Sequence, residues 1–200
     1  LIKEAGIDFM SLPDGEQDVP MGMSTGAADI FANTGGVMEA ALRTVYELVT
    51  GRPLPMDQLH VKPIQGLQGL KEAAVTFSGC VSEWSFLEGV TARVAVAHGL
   101  SNAHRICQEV AEGKAEYHFI EVMCCPGGCI GGGGQPRPTT DAVRRQRIGA
   151  IYAEDEGRPM RKSHDNPAIA AIYAEFLGKP NGHKAHELLH THYHDRKTKA

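Results

Sequence analysis

TARVAVAHGLSNAHRICQEVAEGKAEYHFIEVM, residues 91–123, decides the fold class. TARVAVAHG is dense in Val and Ala and ends on Gly99, so it reads as a strand. Ser101 stands where it would cap a helix over SNAHRICQEVAEG, with Ile106 and Val110 on the buried face and Gly113 at the stop. YHFIEVMCC is the next strand. Strand, helix and strand at this spacing have the length that a parallel crossover needs, so the expectation is α/β, a partly parallel sheet flanked by helices. Working outward, KEAAVTFSG and LHVKPI are further strand candidates, and DFMSL (8–12) is a short one entering the turn-rich PDGEQDVP. A helix is expected after Thr34-Gly35-Gly36, with Val37, Ala41, Val45 and Leu48 on one stripe and Gly51 then Pro53 as its stop. From Thr139 onward the strand patterns cease. TTDAVRRQRIGAIYAEDEG, NPAIAAIYAEFLG and GHKAHELLHTHYH read as helices, which predicts an α/β part over 1–138 and an all-helical C-terminal appendage over 139–200 that docks on it.

Bulk properties narrow the function. A net charge of −4, with no long basic run, argues against a nucleic-acid backbone as partner. No apolar run approaches the length of a membrane span, and LIKEAGIDFM lacks the charged-then-apolar order of a secretory signal, so a cytoplasmic location is expected, or a periplasmic one through export with a partner chain. Five cysteines, unevenly clustered, do not resemble a disulfide framework.

The cysteines concentrate in VMCCPGGCIGGGGQP (122–136), directly after the second strand of the crossover. In such sheets ligands sit beyond the carboxyl ends of the strands. Thiolates suit zinc, copper(I) and iron-sulfur centres. Cys125 and Cys129, separated by Pro-Gly-Gly, could reach one centre from a tight turn, while the glycines let backbone approach a bulky inorganic group. A glycine-rich hinge with incidental cysteines is the bland alternative. HELLH (186–190) fits the helical zinc pattern His-Glu-x-x-His, but a third ligand has only ten residues in which to follow, so an exposed amphipathic end with Leu188 and Leu189 buried is preferred. His98, His104, His118 and His164 read as structural, with His164 capping the next helix. Arg144, Arg145, Arg147, Arg158, Arg161 and Lys162 read as an ion-paired surface, with docking of an acidic electron carrier as the other reading.

The string EVMCCPGGCIGGGGQP closely resembles the third signature of the iron-only (FeFe) hydrogenases. MGMSTGAADIFANTGGVMEAALR is similar to the family's segment before that signature, and RKSHDNPAIAAIYAEFLGKPNGHKAHELLHTHYH to the region that some members carry as a small subunit. The resemblance implies reversible oxidation of dihydrogen at an H-cluster, a 4Fe-4S cubane joined to a two-iron unit with carbon monoxide, cyanide and a bridging dithiolate. It implies that Cys125 and Cys129 supply two of the cubane's four thiolates, with Cys129 also bridging to the two-iron unit. Met123 would lie against that unit and Phe31 would help wall its pocket. Cys124 stands where the family pattern has alanine. The family's two earlier cysteine signatures are not in this sequence, and Cys80 and Cys107 fall in unsuitable places to replace them. The expectation is therefore one lobe of a larger catalytic domain, inactive alone, partnered by the half that holds the remaining ligands and by ferredoxin-type electron-transfer domains. A non-catalytic iron-sulfur binding or cluster-assembly protein on the same scaffold is the alternative.

Overall fold

The computed structural model describes residues 1–16, 23–192 and 194. Its sheet has three strands, β1 (Leu70–Thr76), β2 (Thr91–His98) and β3 (Phe119–Met123), in the order β1-β2-β3. β1 pairs antiparallel with β2, while β2 and β3 run parallel in a register that sets His98 beside Met123. β2 lies between the other two, and Val94, Ala95, Val96 and Ala97 are all buried, as expected of a strand covered on both faces. The N-cap of the crossover helix α3 (Leu100–Ala111) is Gly99, two residues before the expected Ser101. Ala103 and Ile106 form its buried face, while Val110 is exposed.

Helix α2 (Gly36–Thr50) packs Met38, Leu42, Tyr46 and Val49 against Val75, Phe77, Val94 and Val96. The expected stripe is thus displaced by one position, and Val45 and Leu48 are exposed. Both stripes have helical period; the buried one is selected because Glu39 and Arg43 find ionic partners below the surface. Gly51 closes the helix in the left-handed region as predicted (φ 68°). At the other end no neighbouring side chain caps the helix. Glu121 of β3 accepts hydrogen bonds from the amides of Gly35 (2.6 Å) and Met38 (2.7 Å), placing a carboxylate on the positive end of the helix. Gly36 must be glycine, since a Cβ there would lie 1.6 Å from the Ile30 carbonyl oxygen.

Two other strand expectations are corrected. Phe9–Ser11 is a 3₁₀ turn capped by Asp8, with Phe9 and Met10 exposed and no strand beside it. Lys62–Ile64 is also a 3₁₀ turn, where Pro63 removes the amide that a ladder would need. The turn expected over 13–20 lies partly outside the described residues.

Every regular element described after β3 is helical: α4 (Asp141–Gly157), α5 (Pro167–Ile172, continuing as a π turn to Leu177) and α6 (His183–Leu189). Thr140 caps α4 and Asn166 caps α5; His164 instead bonds Thr44 Oγ1 through Nδ1. α4 docks through Ile148 and Tyr152 onto Ala27 of the short helix α1 (Gly26–Asp29), Ile30 of the 3₁₀ turn that follows it, Ala40 of α2 and Ile130 of the cysteine turn. Leu188 and Leu189 are exposed, contrary to expectation, and Ala185 is the buried residue of α6.

Candidate iron-sulfur site

The chain leaves β3 at Met123 and folds at once into a turn. Gly128 N donates to Cys125 O (3.0 Å), Gly131 N to Gly128 O (3.0 Å) and Gly132 N to Cys129 O (3.1 Å). Gly127 and Gly128 both take positive φ (84° and 90°), a conformation open to glycine at little steric cost. A Cβ on Gly128 would come within 3.0 Å of Thr34 N, Met123 Sδ and Ala32 O, so the turn sits directly on the 32–34 segment with the Met123 sulfur beside it. A Cβ on Gly132 would meet Cys125 Sγ and the Cys129 carbonyl, each at 3.4 Å. Glycine thus leaves clearance beside the Cys125 sulfur and the Cys129 backbone. All five cysteines are free: Cys125 is half-buried, while Cys124 and Cys129 are exposed. Cys80 lies in the β1–β2 connection, where partial burial and the Glu88 carboxylate hold its thiol above the usual range; Cys107 lies exposed on α3. Phe31 is 45% exposed and adjoins Ala32, whose carbonyl faces Gly128.

Hydrogen bonds from the core hold this turn. His98 accepts from Gly127 N at Nδ1 (3.2 Å), and its Nε2 faces the Leu67 carbonyl (3.2 Å). A carbonyl only accepts, so the proton belongs on Nε2 and the imidazole is the neutral tautomer. Thr34 N donates to Gly127 O (3.0 Å). Lys71, 2% exposed on the inner face of β1, donates to Thr34 O (3.0 Å), Thr34 Oγ1 (3.3 Å) and Gly66 O (2.9 Å). Sequence reading missed Lys71, although the alternation Lys71, Ala73, Val75 places it on one face of β1.

Burial lowers the Lys71 ammonium from 10.5 to about 8, a shift that the Glu121 carboxylate partly offsets. The folded state therefore holds this proton less tightly than the unfolded chain, and stability rises with pH between about 8 and 10.5. Below that window the buried ammonium disfavours folding by about 3 kcal/mol, an order-of-magnitude figure. Lys71→Met in the full-length protein is expected to flatten this rise, which denaturation at pH 7 and pH 10 would show; an unchanged rise would exclude Lys71 as its source.

On the opposite side the loop meets α4. Arg147 donates to Ile130 O (2.6 Å) and Pro136 O (2.9 Å). The expected ion pairing holds for Arg144, Arg158 and Lys162, which contact Asp141, Asp29 and Glu154, and Glu47 and Asp165 respectively, whereas Arg161 pairs below the surface with the buried Asp155. Arg147 departs from it by serving the cysteine loop.

Two thiols on one glycine turn are half of the four thiolates that an iron-sulfur cluster takes. Their place on one turn, with Gly132 leaving clearance beside the Cys125 sulfur and the Cys129 carbonyl, fits such a group shared with further ligands. The zinc reading gains nothing: α6 ends at Leu189, leaving His190 beyond it, and the His186 and His190 rings stack with centroids 4.3 Å apart. Among the described residues, one set brings three ligand atoms within 4.8 Å of one another, Glu47, His164 and Asp165. Lys162 Nζ already lies 2.7 Å from Glu47 and 3.2 Å from Asp165. No described helix is long and apolar enough to cross a membrane.

Residues 1–133 match the family described as iron only hydrogenase large subunit, C-terminal domain, and residues 141–196 match iron hydrogenase small subunit. The NADP-reducing hydrogenase subunit HndD of Solidesulfovibrio fructosivorans is 48% identical over 197 residues, 98% of this chain and 32% of that protein. A probable cytosolic Fe-S cluster assembly factor of Drosophila willistoni is 42% identical over 103 residues, 51% of this chain and 21% of that protein. Among solved structures, [FeFe]-hydrogenase HydA1 from Chlamydomonas reinhardtii superposes with a TM-score of 0.69 at 46% identity, covering 96% of this chain and 52% of that one. The chain thus spans about a third of the length of HndD.

Proposed function

This chain belongs to the iron-only hydrogenase large-subunit family, and from that premise we propose that it supplies one lobe of an H-cluster domain catalysing the reversible oxidation of dihydrogen to protons and electrons. In this reading residues 1–138 are the large-subunit-like lobe and residues 139–200 the small-subunit-like helical region. Cys125 and Cys129 supply two of four thiolates, and the remaining ligands come from the rest of the catalytic domain, on the same or a separate chain. Ferredoxin-type domains or subunits carry electrons to and from it. A cytoplasmic setting fits this chemistry, as does a periplasmic one for a co-exported complex.

The observation that carries the reading is the convergence of Cys125 Sγ and the Cys129 backbone on Gly132, in a turn that also packs against the Met123 sulfur. When bound, the cluster supplies the redox and dihydrogen-splitting chemistry. The protein's part is ligation, orientation and electrostatics. Cys125 and Cys129 hold the metal as thiolates. Met123 and Phe31 would present apolar surface to the reacting side and exclude water. Lys71 and His98 hold the turn at Thr34, Gly66 and Gly127.

The likeness to a probable cluster assembly factor over about half the chain supports a second reading, a non-catalytic iron-sulfur protein on the same scaffold. Met123 and the glycine run favour the hydrogenase, because an assembly protein need not make room for a two-iron unit. Anaerobically prepared full-length protein is expected to evolve hydrogen from a reduced viologen dye. A protein with a full complement of iron and sulfide but no turnover would favour assembly.

A further inference from the structure

Helix α4 belongs to the stretch that matches the small-subunit family, yet its basic side chains reach the cysteine turn. Arg147 Nη1 donates to the carbonyl of Ile130, the residue after Cys129, at 2.6 Å. Nη2 donates to the carbonyl of Pro136 at 2.9 Å. These carbonyls flank the run Gly131–Gly134 and Gln135, so one planar fork closes the glycine segment into a loop. Ile130 is itself buried against Ile148 and Tyr152 of the same helix, which fixes the base of the clip. One turn earlier on α4, Arg144 covers the inner side of the turn. A Cβ on Gly127 would lie 3.1 Å from Arg144 Cδ, and one on Gly131 would lie 2.9 Å from Arg144 Nε. Asp141 accepts from Arg144 Nη1 at 2.6 Å, while the buried Arg144 Nε finds no hydrogen-bond partner among the described residues.

Arg144, Arg158, Arg161 and Lys162 are ion-paired, whereas the side-chain hydrogen bonds of Arg147 among the described residues go to two carbonyls. A carbonyl lacks the charge to neutralise a guanidinium, so full positive charge remains at the carbonyl of Ile130, the residue after Cys129. The potential of an iron-sulfur cluster responds to net charge and hydrogen bonding around it. A thiolate-ligated cluster gains negative charge on reduction, so a fixed cation nearby favours the reduced form.

We propose that Arg147, with Arg144 beside it, is a positioning residue for the cysteine turn, through which helix α4 both clips the glycine run and raises the reduction potential of the cluster held by Cys125 and Cys129. This rests on the ligand assignment above and assigns the helical region a part in tuning the site, beyond packing against it.

The test is a redox titration, followed by electron paramagnetic resonance, of the full-length protein purified anaerobically. Cys125→Ala identifies the cluster signal that belongs to this turn; if every signal survives it, the ligand assignment fails, whatever Arg147 does. For that signal, Arg147→Gln is expected to retain iron and sulfide while making the cluster about tenfold harder to reduce at a given potential, a shift of about 59 mV to lower potential for one electron. Arg147→Lys keeps the charge but not the planar fork, and is expected to recover most of that shift. A lowered melting temperature with an unmoved midpoint in Arg147→Gln would overturn the proposal, leaving a purely structural clip. If Arg147→Gln binds no cluster, Arg147→Lys decides: recovery of the cluster near the wild-type midpoint supports the proposal, and loss in both variants overturns its electrostatic part.

Discussion

Cys129→Ala in the full-length protein is expected to lose the cluster signal of the turn and to reduce hydrogen turnover by well over 100-fold, since disturbing even the hydrogen-bond partner of a metal ligand typically lowers metal affinity or activity 10–100-fold. Cys125→Ala should behave alike, because neither Cys80 nor Cys107 lies in the same turn. Cys124→Ala should retain iron, sulfide and turnover within about threefold of wild type, because the Cys124 side chain is exposed and the family pattern already has alanine there. This contrast among three nearby cysteines tests the ligand assignment more sharply than any single variant. Iron and sulfide analysis checks it before any activity is measured. Equal loss in all three would show that the turn needs each thiol for folding, and loss in Cys124→Ala alone would reverse the assignment.

Asp155→Ala carries the largest expected effect on stability. Asp155 is fully buried and grips Arg43 with both oxygens, at 2.8 and 2.9 Å, while Oδ2 also accepts from Arg161 at 2.6 Å. Arg43 reaches Glu39 as well (2.8 Å), and Glu39 accepts from Tyr152 (3.1 Å) and Gln65 (3.0 Å). Two carboxylates thus face two guanidiniums inside the interface of α2 with α4. Burial alone would raise the Asp155 carboxyl, but its bonds to Arg43 and Arg161 hold it below the ordinary carboxylate range. Removing one partner of a buried ion pair leaves the other uncompensated, which typically costs about 3–5 kcal/mol. Chemical denaturation of wild type and Asp155→Ala should show a loss of that order at pH 7. A depressed folded pKa contributes stability above the unfolded value and loses it as pH falls through the folded one. The difference between the two proteins should therefore shrink at low pH. A loss under about 1 kcal/mol would mean that Arg43 is satisfied by Glu39 and the Leu59 and Arg161 carbonyls.

The parts of this fold written in local pattern were legible in the sequence. The alternation of β1, the apolar density of β2, the crossover to β3 and the stop at Gly51 all follow from residues close in the chain. So did the cysteine turn, because its glycines announce backbone freedom where thiols are crowded. What escaped depends on distant partners. Glu121 caps a helix 83 residues away in the chain, and Arg43 meets Asp155 at a separation of 112. Those pairings place Glu39 and Arg43 inside and so turn α2 away from the Val45 and Leu48 stripe. Lys71 looked like an ordinary strand lysine until its three oxygen acceptors appeared. DFMSL and LHVKPI have strand composition, but the first has no neighbouring strand and the second contains a proline at a turn. Exposure of Leu188 and Leu189 was hidden for the same reason, since helical period alone does not say whether a partner surface is present.

Infrared spectroscopy of the full-length protein, matured anaerobically, tests the central claim most directly. Bands from iron-bound carbon monoxide and cyanide are predicted for the wild type and for Cys124→Ala, and their loss is predicted for Cys129→Ala. A wild-type protein that carries iron and sulfide yet shows none of these bands would contradict the hydrogenase account and support a cluster-assembly role instead.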